Sequence, residues 1–211
     1  MKAVIFDLDG VLVTTDDLHY TAWKAIAEEE GIYFDREINH CLRGVSRMDS
    51  LDIILKRAAK SYSPKEKSAM AEKKNRIYRN LLENLNREAL LPGAVETLQT
   101  LRDHGFSIAL GSSSKNAKTI LEKTCIECFF HAISDGNLIT HSKPDPEVFL
   151  KAAQLMKVSP EDCIVVEDAA AGIQAAKAAG MLAVAIGDAT RCPNADKYIS
   201  SLWELPNLLI N

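Results

Sequence analysis

The chain has 211 residues, 25 Lys+Arg against 29 Asp+Glu, a formal net charge of −4, 47% hydrophobic and 26% charged residues. This is globular composition, which excludes a disordered or collagen-like chain, and the acidic balance argues against a nucleic-acid binder. No apolar run approaches the ~20 residues of a membrane span, and Asp7 and Asp9 interrupt any leader-like stretch, so a soluble, cytoplasmic protein without a membrane or nucleic-acid partner is expected. The five cysteines, 41, 125, 128, 163 and 192, are too scattered for a disulfide framework. Cys125 and Cys128 form a C-x-x-C, but no second pair or His follows at zinc spacing, so they read as semi-buried thiols at a helix end.

In chain order, Ala3-Val4-Ile5-Phe6 is an unbroken apolar run of the kind that forms a strand buried on both faces. Residues 14–89 then carry helical patterns. Asp16 to Glu30 is closed by Gly31. Ser46-Arg47-Met48-Asp49 resembles a capping box with Asp for Glu, ahead of Leu51, Ile54, Leu55 and Ala58 at helical spacing. Ser63-Pro64-Lys65-Glu66 opens a longer helix that should reach about Leu85. Pro92-Gly93 marks the return. A helix from Ala94 to His104 stops at Gly105. Strands follow at Ser107–Leu110, Cys163–Val166 and Leu182–Ile186, with a helix opened by Pro146 through Leu150 and Leu155 and an Ala-rich one from Ala170 to Ala179 ended by Gly180. Strand–helix alternation predicts an α/β fold with a doubly wound parallel sheet. The expected organisation is a core of 1–13 and 90–211 with a helical module, 14–89, inserted after the first strand.

Four stretches carry chemistry. Asp7-Leu8-Asp9-Gly10-Val11 follows the first strand directly, where ligands of open α/β sheets bind. A turn or helix cap explains one Asp there, but not two carboxylates crowded at one site, which need a cation or a proton. Ser112-Ser113-Ser114-Lys115-Asn116 follows Leu110-Gly111 and offers hydroxyls and N–H groups to an anion, although Ser is also simply a good helix cap. Ser142-Lys143-Pro144-Asp145-Pro146 fixes a lysine before a rigid turn, where it can neutralise phosphate. Glu167-Asp168 ends another buried strand. With Asp7 and Asp9 it makes an all-oxygen cluster of the kind that favours Mg²⁺.

In this order the four stretches, together spanning most of the chain, resemble the haloacid dehalogenase superfamily of phosphotransferases. The resemblance implies a Rossmann-like core in which Asp7 is the nucleophile that becomes an aspartyl phosphate and Asp9 the general acid/base. It assigns Ser112 and Lys143 to the transferring phosphoryl group. One magnesium ion would sit at Asp7, the Asp9 backbone carbonyl, Glu167 and Asp168, with Glu167 binding directly or through water. Such chemistry is reasonable for a carboxylate when a metal offsets charge repulsion.

The inserted helices carry His19, Ala22-Trp23-Lys24-Ala25, Leu42-Arg43-Gly44-Val45-Ser46-Arg47, Asp49-Ser50-Leu51 and Lys73-Lys74-Asn75. With the Ser112–Asn116 loop they resemble the cap of the β-phosphoglucomutase family. The resemblance implies that Arg47 grips the distal phosphate of a sugar bisphosphate, a task suited to the guanidinium fork. His19 and Lys74 would link closure to Asp9. Trp23, Gly44, Val45, Ser46 and Ser50 would line the sugar cleft, Ser114, Lys115 and Asn116 would meet the phosphate or sugar, and Leu42, Asn75 and Ser113 would also bind substrate. Thr15 matches the family threonine near the acid/base, whereas Thr14 stands where an acid is usual. Taken singly, Trp23 reads as core and Lys73, Lys74, Arg76 and Arg79 as a solvated helix face. The implied activity is interconversion of β-D-glucose 1-phosphate and glucose 6-phosphate, with β-D-glucose 1,6-bisphosphate as intermediate and activator; a monomer is the default expectation. A sugar-phosphate phosphatase is the alternative; a non-catalytic phospho-ligand binder is a third.

Overall fold

In a computed structural model that describes residues 3–210, a parallel six-stranded sheet lies between two layers of helices. The elements run β1 (Ala3–Phe6), α1 (Asp16–Glu29), α2 (Arg36–His40), α3 (Arg47–Leu55), α4 (Pro64–Leu82), α5 (Ala94–Asp103), β2 (Ser107–Gly111), α6 (Ala117–Thr124), β3 (Ala132–Ser134), α7 (Glu147–Met156), β4 (Cys163–Glu167), α8 (Ala170–Ala178), β5 (Leu182–Ala185), β6 (Lys197–Tyr198) and α9 (Leu205–Ile210). The strand order is β3-β2-β1-β4-β5-β6. The unalternating apolar runs are explained by burial on both faces. Val4 and Phe6 pack into one cluster with Leu98, Leu101, Ile120 and Val166, while Ala3 and Ile5 pack into the other with Phe149, Val165 and Ile173. Each large side chain so buried contributes roughly 1.5–3 kcal/mol.

β1 lies between β2 and β4, so the order reverses at its carboxyl end. Such a reversal opens a crevice beyond the strand ends. Asp7 follows β1, Ser112 follows β2 and Asp168 follows β4, so the topology alone delivers three candidate residues to one edge.

The helices α1 to α4 lie between β1 and α5 and have a hydrophobic cluster of their own, including Trp23, Ile26, Phe34, Leu42, Leu51 and Ile54. The chain leaves and returns through paired segments. Val13 bridges Leu90 in antiparallel fashion, Thr14 N–H donates to Ala89 O at 2.9 Å, and Leu91 N–H donates to Leu12 O at 2.9 Å. α4 starts with a full capping box: Ser63 accepts from Glu66 N–H while Glu66 accepts from Ser63 N–H. Ser46 caps α3 by accepting from Asp49 N–H, and its own hydroxyl donates to the Asp49 carboxylate at 2.6 Å, so the reciprocal arm differs from a capping box.

Several expectations are corrected. α4 ends at Leu82, three residues early, and Pro146 occupies the cap of α7 rather than its first helical position. Leu150 and Leu155 are exposed; Val148, Phe149, Ala152 and Ala153 form the buried face instead. Cys125 and Cys128 do stand at a helix end, but both are exposed. No helix among the described residues is long and apolar enough to cross a membrane.

Candidate active site

The loop after β1 aims its acids by a tight turn. Gly10 N–H donates to Val13 O at 2.8 Å, and Leu12 and Val13 N–H both return to Leu8 O. Gly10 has φ +84°, and a Cβ there would collide with the Asp168 carboxylate, so this position needs glycine twice over. Leu8, fully buried between the two aspartates, anchors the turn in the core.

Lys143 is the buried centre of the charge cluster. Its ammonium donates to Asp7 Oδ1 at 2.5 Å and to Glu167 Oε2 at 2.9 Å, and lies 4.7 Å from the centre of the Phe149 ring. Burial opposes its charge, but Asp7 and Glu167 outweigh that and hold the pKa above the usual lysine value. Glu167 also accepts from Ala169 N–H at 3.1 Å. Asp7, Glu167 and Asp168 each offer an oxygen within 4.8 Å of the others. Burial first, and then the neighbouring carboxylates, push Glu167 and Asp168 upward. Three hard oxygen donors, destabilised by crowding and with no His or Cys among them, fit a magnesium-sized divalent cation.

Asp9 is held differently. The Thr15 hydroxyl donates to Asp9 Oδ1, and Thr15 Oγ1 shares a 3.0 Å bond with the Tyr78 hydroxyl. Burial raises Asp9 to about 6, the Thr15 bond opposing and Asp7 adding. A carboxyl near 6 can both give and take a proton at neutral pH.

These groups open into a cavity of about 800 Å³ that is roofed by α1, α3, α4 and the loop before α3. Of the predicted residues, Asp7, Asp9, Thr15, His19, Trp23, Leu42, Gly44, Val45, Ser46, Arg47, Ser50, Lys74, Asn75, Ser112, Ser113, Ser114, Lys115, Asn116, Lys143 and Asp168 all line it. Glu167 does not; it stands behind the wall, against Lys143. Trp23 belongs to the cavity and to the hydrophobic cluster of the inserted helices at once.

Lys74 is buried rather than on a solvated face. Its ammonium bonds His19 Nδ1 at 2.8 Å and lies over the Trp23 and Tyr78 rings at 4.9 and 4.6 Å. Burial, then Arg47, lowers its pKa to about 7, and burial lowers His19 as well. Lys73, by contrast, pairs on the surface with Glu29. Arg47 is half-buried and pairs with no carboxylate among the described residues; burial works against its charge. In the Ser loop, Ser112 Oγ accepts from Ser114 N–H at 3.2 Å and Ser114 Oγ accepts from Asn116 N–H at 3.2 Å. Ser113 Oγ is buried without a hydrogen-bond partner. Asn116 Nδ2 donates to Asn75 Oδ1 at 3.0 Å, joining α4 to the loop after β2.

Tyr78 went unread in the sequence. It is fully buried beside Thr15, with its ring 4.2 Å from His19. The signal was present: Ala71, Lys74, Tyr78 and Leu82 form the buried stripe of α4, so a lysine and a tyrosine occupy positions that packing alone would give to apolar residues.

A parallel sheet with paired acids at its switch point, a buried lysine among them and a helical roof defines a class. The chain belongs to the haloacid dehalogenase-like hydrolase family, whose family model matches residues 1–180. Within that family it is a homologue of β-phosphoglucomutases. It is 45% identical to the β-phosphoglucomutase of Bacillus subtilis (strain 168) over 207 residues, 97% of this chain and 92% of that protein. A crystal structure of β-phosphoglucomutase from Clostridium difficile superposes with a TM-score of 0.90 at 37% identity, covering 100% of this chain and 99% of that one. Phosphatases are also related: the fructose-1-phosphate phosphatase of Escherichia coli (strain K12) is 32% identical over 181 residues, 86% of this chain and 94% of that protein.

Proposed function

We propose that the protein is a magnesium-dependent β-phosphoglucomutase, with α1 to α4 as a cap over a phosphotransferase core. The observation that carries this reading is Arg47: a half-buried guanidinium that lines the cavity and pairs with no carboxylate among the described residues. A second phosphate, held while the first reacts at Asp7, gives such a cation its partner.

Asp7 Oδ attacks the phosphorus of the sugar bisphosphate, the bond to the sugar oxygen breaks, and Asp9 gives that oxygen a proton. Glucose 6-phosphate leaves and β-D-glucose 1-phosphate enters; its free hydroxyl loses a proton to Asp9, its oxygen bonds to phosphorus as the bond to Asp7 Oδ breaks, and the bisphosphate so formed turns over to present its other phosphate to Asp7. Lys143 and Ser112 hold the oxygens of the group in flight, and Arg47 holds the other end. Asp7, Glu167, Asp168 and the Asp9 carbonyl would hold Mg²⁺, which when bound offsets the negative charge of carboxylates and phosphoryl oxygens. Lys74 and His19 tie the cap to the Asp9 side, and the closed roof excludes water from the phosphorylated Asp7.

The test supplies β-D-glucose 1-phosphate, Mg²⁺ and a trace of glucose 1,6-bisphosphate, and follows glucose 6-phosphate and inorganic phosphate together. Glucose 6-phosphate far in excess of phosphate is the expected result. Phosphate without glucose 6-phosphate overturns the mutase in favour of a phosphatase.

A further inference from the structure

The loop between α2 and α3 is bound to the sheet by a set of contacts outside the chemistry described so far. The Arg43 guanidinium reaches in two directions. Nε and Nη2 donate to the Asp16 carboxylate in the first turn of α1, at 3.3 and 3.1 Å. Nη1 donates to Asp188 Oδ2, in the loop after β5, at 2.7 Å. His40 Nε2 lies 3.1 Å from that same Asp188 oxygen. Asp16 is itself fixed by the amide of buried Asn39 at 3.0 Å.

Backbone packing completes the seal. Gly44, with φ +73°, faces Ala169 so closely that a Cβ would come within 2.8 Å of the alanine methyl. Ala169 directly follows Asp168. Gly187, next to Asp188, faces the Cβ of Asp168 from the other side. Arg43 thus joins the segment that runs through Gly44 to the start of α3 at Arg47 to the loop beside a proposed metal carboxylate.

We propose that Arg43 and Asp188 form a latch that positions the Gly44–Ser46 loop, and with it Arg47 at the start of α3, over Asp7. On the mutase reading, on which this second part rests, the latch sets how phosphorylated Asp7 divides its phosphoryl group between a sugar hydroxyl and water. In the hydrolytic branch a water oxygen bonds to phosphorus, the bond between phosphorus and Asp7 Oδ breaks, a water proton passes to Asp9 and inorganic phosphate leaves. The Arg43–Asp188 pair is half-exposed, so it adds little to the stability of the fold. The same small effect is enough to shift an equilibrium between closed and open arrangements of similar free energy. Arg43 is therefore a positioning residue.

Hydrogen exchange on the free protein tests the latch without substrate. Arg43→Ala and Asp188→Asn should each speed exchange of segments 41–46 and 186–190 about fivefold. The double variant should do no more than either one, and Arg43→Lys should restore part of the protection. Unchanged exchange in Asp188→Asn, or effects that multiply in the double variant, overturn the latch. So does Asp16→Asn reproducing the whole effect while Asp188→Asn has none, because Arg43 would then only brace α1. In the β-D-glucose 1-phosphate assay the two single variants should raise the ratio of phosphate to glucose 6-phosphate about fivefold, with KM moving less than twofold. An unchanged ratio overturns the control of partition. If the unaltered protein makes no glucose 6-phosphate, the mutase reading and the partition fall together, and exchange still decides the latch.

Discussion

The floor and the roof of the cavity handle charge in opposite ways. On the floor, at the sheet edge, the Lys143 ammonium is surrounded by carboxylates and bonds two of them. In the roof, Lys74 and Arg47 are cations brought out of water without a carboxylate bond, and burial lowers both. Charge buried without a partner is costly, so it persists where a ligand supplies the partner. The floor is an acid-rich cradle suited to a cation and a phosphoryl group, and the roof is a cationic lining suited to an anion. On the proposed function, one phosphate engages the floor, and a substrate with two phosphates engages both.

The largest expected effect removes the proposed nucleophile of the floor. Asp7→Asn should lower turnover by at least about 10⁴-fold and abolish the phosphoenzyme mass peak. A phosphorylated Asp7→Asn protein, or substantial residual turnover, breaks the assignment of the floor. The roof is tested next. Arg47→Ala should lower kcat/KM for the mutase reaction about 10²- to 10³-fold while changing hydrolysis of acetyl phosphate, which has a single phosphate, by only a few-fold. Equal loss with both substrates would mean that floor and roof do not divide the work between two phosphates.

Much of the floor was legible in the sequence because its residues end strands that read clearly. β1, β2, β4 and β5 are buried apolar runs; Asp7, Ser112 and Asp168 follow three of them at once, and Glu167 is the last residue of β4. β3 and β6 were not read. β3 has three residues, and β6 is an exposed pair at the sheet edge, so neither carries a periodic pattern. α2, with five residues capped by Asp35, was equally silent. The roof was readable only by resemblance, because its residues come from three helices and a loop whose packing no local spacing reveals. Lys74 shows the limit. Among Lys73, Arg76 and Arg79 it looks like one more solvated cation, and only the position of the buried stripe separates it from them.

The unpaired charge in the roof also has a signature in stability. The folded pKa of Lys74, about 7, lies below its unfolded value, so the fold disfavours the ammonium. That cost is present in full below pH 7, falls as pH rises from there and vanishes near the unfolded lysine value. Lys74→Met should therefore raise stability at pH 6.5 by about 2 kcal/mol after its bond to His19 and its ring contacts are lost, and by less at pH 9. Urea melts at the two pH values check this. An equal change at both would show that Lys74 is no more costly in the fold than an exposed lysine, and the contrast between roof and floor would weaken.

The smallest effect probes whether the roof supports itself. Ser63 caps α4 and does not line the cavity, and its capping box satisfies two N–H groups at the helix start. Ser63→Ala should cost about 1 kcal/mol, a fall of roughly 2–4 °C in Tm for a chain of this size. The consequence for chemistry should follow the division above. α4 carries Lys74, Asn75 and Tyr78 but none of the carboxylates of the floor. Loosening its first turn should therefore raise hydrogen exchange along α1 and α4, which share the hydrophobic cluster of the inserted helices, and leave β1 and β4 protected. Exchange rising equally in the sheet would mean that the inserted helices and the sheet open as one unit, and that the roof cannot move without the floor.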